Sequence, residues 1–408
     1  MKLLVQEYLE SKTFGDLARE HGVYASFSKS GRKWSLNYDQ IEAKESDPLA
    51  QECRGLVLSC EDGAEVPGIR SAEGKINRDD MSPGPTRILA FPMKRFFNHG
   101  QGSAAEINWH DPNLAVLEKL DGTLCIMYFD PFTNQWCVAT RSVPEADLLM
   151  DNGLFTFRTL FEKALEETCK MDFNGLTKLL DERHTYCFEL TTPYNRIVVQ
   201  YPNNGITLLA ARDLITHLEV YPDQCIMVRD GVVPCVQTHT YAGMDELVSW
   251  VSTLSPKDHE GVVVRDSQFN RIKIKNAQYV ALNKCRDTLS SSPRNCLELI
   301  WGGNEDDVIP FLPEEIVNNL LSIKGKYRKW LEEQERLYTQ VMSEASAIMP
   351  SDKKTFAITL NKYGTPFRPA FFAIFDGKAE SIKNFIAKNK KDGTWSNGFL
   401  DRILGEVI

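Results

Sequence analysis

Short apolar runs separated by turn-forming residues dominate the chain from residue 53 to 285. They fall at 54–59, 87–92, 114–120, 123–129, 135–140, 186–190, 196–201, 206–212, 225–230, 260–266 and 271–275. Their content of Val, Ile, Leu, Phe and Tyr predicts β-strands. Strands at this density, joined mostly by turns, predict antiparallel sheets in an α+β fold rather than a doubly wound parallel sheet. The main exception is 146–169, where Leu148, Leu149, Phe155, Leu160, Phe161 and Leu165 suggest a helix. Ahead of the strands, Leu3, Leu4, Tyr8 and Leu9 form a short helical pattern, followed by a basic, aromatic stretch from Ser26 to Tyr38.

After about 286 the period changes. Residues 290–295, Ser-Ser-Ser-Pro-Arg-Asn, read as a linker. Beyond Pro313 the apolar positions Ile316, Val317, Leu320, Leu321, Tyr327, Trp330, Leu331, Leu337, Tyr338, Val341 and Met342 recur at helical spacing. This predicts a long amphipathic helix with a polar face of Lys and Glu. Two domains are therefore expected: an antiparallel-sheet domain over 1–285, including an N-terminal extension, and a small all-α C-terminal domain over 286–408.

Length and composition fit that division. The chain has 408 residues, enough for two or three cores, with 42% hydrophobic and 25% charged residues. Charges interrupt the first apolar residues at Glu7 and Glu10, and no 18 apolar residues run uncharged. Neither secretion nor membrane spanning is expected. The ten cysteines show no C-x-x-C pair, so they read as reduced, buried thiols of an intracellular, cytoplasmic protein rather than as zinc ligands. A net charge of -9 excludes wholesale attraction to phosphate. Any anionic substrate must then meet a local basic site. Acids and bases balance after residue 286, so the negative excess lies in the first part.

The sharpest short string is Glu118-Lys119-Leu120-Asp121-Gly122-Thr123, between two apolar runs. Asp-Gly alone suits a hairpin turn with a lysine at its entry. The alternative is a lysine nucleophile at a strand end, with Gly122 admitting backbone close to a phosphate or ribose. Such a lysine must lose its proton, which nearby cations would assist. Arg271, Lys273 and Lys275 alternate with Ile272 and Ile274, so strand periodicity puts all three cations on one face. A solvated edge strand gives the same pattern. Glu189 and Glu260 each abut an apolar run; either is a candidate for a hard cation or for a structural ion pair.

These strings, in this order, resemble the covalent nucleotidyltransferase superfamily of polynucleotide ligases and capping enzymes, and within it the RNA ligase 1 family of bacteriophages. Lys119-Leu120-Asp121-Gly122 is similar to motif I, Phe188-Glu189 to motif IIIa, Glu260-Gly261-Val262-Val263 to motif IV and Lys273-Ile274-Lys275 to motif V. Glu52-Cys53-Arg54-Gly55, 92–98 and 193–198 resemble further family stretches, and the likeness covers about residues 30 to 285.

The resemblance implies an ATP-dependent RNA ligase. In it Lys119 takes AMP from ATP, passes it to an RNA 5′-phosphate, and a 3′-hydroxyl then displaces it. Implied with this are Mg²⁺ or Mn²⁺, single-stranded or broken RNA as partner, with tRNA among the possibilities, and a monomer. It also implies roles. Lys273 and Lys275 would neutralise the triphosphate and ease proton loss from Lys119; Glu260 would hold the metal; Glu189 would meet ribose or metal. Arg54 would contact phosphate, and Phe97 would pack near the adenine, with Asp121, Gly122 and the aromatic Tyr38 in the nucleotide site. Arg95 and Arg141 stand where the family carries lysine, which leaves open whether Lys94 or Arg95 meets phosphate. A DNA ligase or a GTP-using capping-type enzyme is the nearest alternative, but both usually append an OB-fold. A non-catalytic RNA-binding protein with Ser26–Tyr38 as its patch is a further one.

Overall fold

The computed structural model describes residues 2–407 apart from 71–75, 148, 150–152, 242, 303–307, 365–366 and 390–395. The chain divides into two compact units, Met1–Val280 and Ala281–Ile408.

The first unit is α+β. One four-stranded antiparallel sheet runs in the order Val23–Phe27, Lys33–Tyr38, Arg54–Cys60, Thr86–Ala90. A second, five-stranded and antiparallel, runs Gln135–Thr140, Thr123–Asp130, His184–Thr191, Gly205–Asp213, Glu219–Val220. A third runs Thr238–His239, Ala115–Glu118, Gly261–Arg265, Arg271–Lys275, Phe97–Asn98. Its last pair is parallel, with Ile272 opposite Phe97 and Lys273 opposite Asn98. That pairing brings two distant sequence strings together and departs from the all-antiparallel expectation.

Apolar alternation supplies the cores. Cys125, Met127, Phe188, Leu190, Ile206 and Leu208 pack with Leu160, Phe161, Ala164 and Leu165 of the helix Phe157–Cys169. This helix starts later than the expected 146–169, because the Thr156 hydroxyl accepts from Thr159 N and so caps it. Leu149 lies before it, bridged to Thr156, and Leu148 falls outside the described residues.

Two further runs depart from the strand reading. Residues 225–230 contain the short helix Ile226–Arg229. Residues 196–201 form no strand; the N–H groups of Val198 and Val199 go instead to a carboxylate at the site. The basic, aromatic stretch 26–38 is exposed only in part: Lys29 and Arg32 at its turn face solvent, while Leu36 and Tyr38 are buried. It forms a hairpin whose Trp34 is fully buried and whose Lys33, 5% exposed, pairs with Asp130 and Glu145 at 2.9 Å.

In the second unit the described residues form helices and turns with no strand. The longest helix, Glu314–Ile348, has 35 residues and buries Leu320, Ile323, Tyr327, Trp330 and Val341 on one face. Phe356, Phe367 and Phe371 complete that core. The expected linker at 290–295 is only a break at Ser292 between the helices Ala277–Ser291 and Pro293–Gly302. Pro293 lacks the N–H a continuous helix would need and fits a first turn.

Candidate active site

Lys119 directly follows the strand Ala115–Glu118, and its backbone N–H donates to Gly261 O at 2.9 Å. Gly261 sits at φ +142°, and a Cβ there would lie 2.2 Å from Ile274 O, so only glycine lets the strands approach. The next residue back, Glu260, is 3% exposed. One of its oxygens accepts from Lys119 Nζ at 2.6 Å and the other pairs with Lys275 Nζ at 2.8 Å. A carboxylate thus bridges two ammonium groups from two strands and fixes the direction of Lys119.

These groups border a cavity of about 390 Å³. Tyr38, Arg54, Arg95, Phe97, Lys119, Arg141, Glu189, Lys273 and Lys275, all expected site residues, line it. Lys273 and Lys275 share a face of their strand, as its period requires. Burial pushes Lys273 down to about 7, helped by the positive charges of Arg54, Lys119 and Lys275. Glu189 moves the opposite way, up to about 7, through burial and the charge of Glu260, while Lys119 and Arg54 oppose the shift. Its Oε1 accepts from Gly122 N at 3.0 Å. A Cβ on Gly122 would meet Leu190 O at 2.3 Å, so the glycine serves a close strand approach.

Aromatic rings hold the cations. Arg54 and Lys273 lie over the Phe96 ring at 5.3 and 4.9 Å, and Nη1 of Arg54 is buried without a hydrogen-bond partner. Arg95 lies over Tyr38 at 4.2 Å and over Phe97 at 5.0 Å. Arg141 adds a second cation near Tyr38, at 5.9 Å. Phe97 is buried in its strand, whereas its neighbour Phe96 is half-buried and faces the cations. Both rings line the cavity; the sequence reading missed Phe96, which precedes the strand Phe97–Asn98 and so carries no strand period. Of the doublet Lys94-Arg95, Lys94 is exposed and pairs with Glu52 at 3.7 Å, while Arg95 lines this cavity.

Asp121 and Gly122, expected to contact nucleotide, are not among the residues that line the cavity. Asp121 is 4% exposed, and Oδ2 accepts from Val198 N and Val199 N at 2.9 and 2.8 Å while Oδ1 accepts from Tyr279 OH at 2.6 Å. It therefore ties the segment after 195 and the helix from Ala277 to the lysine loop. Burial pushes the Arg54 guanidinium down, and its orphaned nitrogen beside Lys273 marks a cradle for an anion.

Among the described residues no group of three or more His, Cys, Asp or Glu side chains could hold a metal ion. Glu260, expected as a metal ligand, is the ionic partner of two lysines. Glu189, which lines the cavity, is the acid that would hold a divalent cation brought in on phosphates.

A family model described as RNA ligase, of the T4 RNA ligase 1 type, matches residues 52–279. The chain belongs to this RNA ligase family. The match takes in Arg54, Lys119, Glu189, Glu260 and Lys275, and ends at Tyr279, the partner of Asp121. Tyr38 and the helical unit lie outside it. Among similar proteins, one from Autographa californica nuclear polyhedrosis virus, named as a bifunctional polynucleotide kinase/RNA ligase, is 26% identical over 290 residues. That alignment covers 68% of this chain but only 37% of the relative, so the chain spans little more than a third of that protein. The RNA ligase of Rhodothermus phage RM378 is 23% identical over 359 residues, covering 73% of this chain and 79% of its own. An archaeal ATP-dependent RNA ligase structure overlaps 67% of this chain and 64% of that one, with a TM-score of 0.38 and 16% identity. Among the described residues no helix is long and apolar enough to cross a membrane.

Proposed function

We propose that this member of the RNA ligase family is an ATP-dependent RNA ligase that joins RNA 5′-phosphate and 3′-hydroxyl ends through a lysyl-AMP intermediate on Lys119. The observation that carries the reading is the pair of Lys119 and Lys275 on the buried Glu260, set against a cavity with an unpartnered Arg54 nitrogen.

In the first step Lys119 Nζ releases a proton to Glu260, its acceptor at 2.6 Å. The freed electron pair attacks the α-phosphorus of ATP, a P–N bond forms, and the bond to pyrophosphate breaks with its electrons leaving on oxygen. Arg54, Arg95 and Lys273 meet the charge that gathers on the departing phosphates. AMP then passes to the RNA 5′-phosphate, and the attacking 3′-hydroxyl releases it as the strand is joined. Glu189 on the cavity wall would hold Mg²⁺ or Mn²⁺, which would supply charge neutralisation to the triphosphate. Asp121, through Val198, Val199 and Tyr279, and Gly122, through Glu189, hold the lysine loop in place.

The helical unit supports the choice of an RNA ligase over its alternatives. Its described residues form helices where DNA ligases and capping enzymes carry an OB-fold. We assign it RNA selection, with broken RNA, tRNA included, as the class of substrate, and a monomer acting in repair inside the cell as the working unit. The reading is tested by incubation with α-labelled ATP and Mg²⁺, then with 5′-phosphorylated single-stranded RNA. Label on the protein that moves to RNA supports it; a protein that never takes label contradicts it.

A further inference from the structure

A second cavity, of about 340 Å³, shares Arg95, Phe96, Phe97 and Arg271 with the first. Its floor carries a surplus of buried positive charge. Arg212 and Arg271, 8% and 6% exposed, both bond the one carboxylate of Glu219, through Nη2 at 2.7 and 2.5 Å. A third arginine, Arg265, is 7% exposed and lies over the Tyr221 ring at 4.7 Å. Asp223 acts on Arg265 as a further acid but lines neither cavity. One glutamate does not balance two guanidinium groups, and buried charge is normally paired. Nε of Arg212, Nε of Arg265 and Nδ1 of His217 are buried without hydrogen-bond partners. Two of these residues, Arg212 and His217, line this cavity, and Arg95 and Lys94 stand at its wall, Lys94 paired with Glu52.

Position decides which anion belongs here. Lys275, Lys273 and Arg271 step along one strand at period two, so Arg271 lies about 13 Å from Lys275 along it. Lys275 shares Glu260 with Lys119, so the Arg271 and Arg212 floor of the second cavity lies farther from the nucleophile than a triphosphate extends from its α-phosphorus, while Arg95, Phe96 and Phe97 form the wall the two cavities share. A polynucleotide strand, by contrast, repeats a phosphate along its whole length. The exposed side-chain amide of Gln268 and the Gln51 amide oxygen at the walls can pair with base edges or a 2′-hydroxyl.

We infer that this second cavity seats a backbone phosphate of the RNA strand whose end is being joined, held by Arg212 and Arg271 on its floor and Lys94 at its rim. The inference rests on the ligase reading above and adds where the strand runs: from Lys119 along the Arg271–Lys275 strand towards Glu219.

The test uses two rim substitutions, Lys94→Glu and Gln268→Glu, at exposed positions that line this cavity and not the nucleotide cavity. Three quantities are measured on the full chain: self-labelling by α-labelled ATP, inhibition of that labelling by inorganic pyrophosphate, and transfer of AMP to a 5′-phosphorylated single-stranded oligoribonucleotide. Labelling and pyrophosphate inhibition should stay within twofold of the parent. The KM for the oligoribonucleotide should rise about tenfold in each variant, and the slope of log affinity against log salt should fall by about 0.7 for Lys94→Glu, one phosphate contact on a single strand. An unchanged KM and slope overturn the inference while leaving the ligase reading intact. Loss of pyrophosphate inhibition in parallel with RNA transfer also overturns it, because the cavity then serves the nucleotide's phosphates. A parent protein that takes no label fails the ligase reading itself, which the first measurement reveals before any variant is made.

Discussion

Lys273 shows how the site stores unfavourable charge for later use. Its ammonium group is held down to about 7 by burial and by Arg54, Lys119 and Lys275, against about 10.4 for a free lysine. Between these values the unfolded chain binds more protons than the folded one, so the native state gains stability as pH rises through that window. Below about pH 7 the cost is present in full. Lys273→Met should therefore stabilise the protein by roughly 1–3 kcal/mol at pH 6.5 and by little at pH 10. Denaturant melts at the two pH values check this; an equal gain at both would remove the charge argument. A bound triphosphate should restore the proton. Calorimetric titration with pyrophosphate at pH 8, in two buffers of different ionisation enthalpy, should show proton uptake in the parent and less in Lys273→Met. At this scale the sequence disclosed much: Lys119, Glu260 and the alternating lysines were legible because strand period and the acid-before-glycine pattern are local. Phe96 and the buried contacts of Asp121 were not, since Phe96 precedes its strand and its reach into the cavity depends on the neighbouring sheet. Asp121's partners, Val198, Val199 and Tyr279, lie far along the chain.

The strand pair Gly261–Arg265 and Arg271–Lys275 is the element that makes the site. It carries Glu260 at its mouth, aligns Lys275 against Gly261, and receives the Lys119 backbone. Gly261→Ala would force a Cβ against Ile274 O at a φ that favours glycine, so the pair must part. A loss of at least about 2 kcal/mol in stability is expected, together with self-labelling reduced by a hundredfold or more. Melts and labelling on the same sample check both. The shorter clamp from Asp121 is expected to matter less. Tyr279→Phe removes one hydrogen bond to a buried carboxylate and should cost about 1–3 kcal/mol, with labelling lowered but not abolished. Strand patterning was legible here, as were the helix period beyond Pro313 and the sheet-rich class. The parallel pairing of Phe97–Asn98 was not, because two residues hold no periodicity. Residues 196–201 misled for a related reason: their apolar pattern reports burial, while Asp121 takes the N–H groups a strand would have paired.

Across the whole molecule every group proposed for adenylyl transfer falls in the unit 1–280, and the family match stops at 279. A chain ending at Ser291, after the helix that follows the last catalytic strand, should label itself with AMP at a rate near the parent's. It should join different RNA ends with less discrimination, read as a narrower spread of KM among single-stranded and tRNA-derived substrates. Undiminished preference would remove the selection role from the helices. The central claim is that Lys119 carries AMP, and the most direct measurement is denaturing gel analysis of the full chain and of Lys119→Ala after incubation with α-labelled ATP and Mg²⁺. The parent should carry acid-labile label consistent with a P–N bond, and Lys119→Ala, folded by its melting curve, should carry none. Normal labelling of Lys119→Ala, or label mapped by mass spectrometry to another residue, would contradict the account.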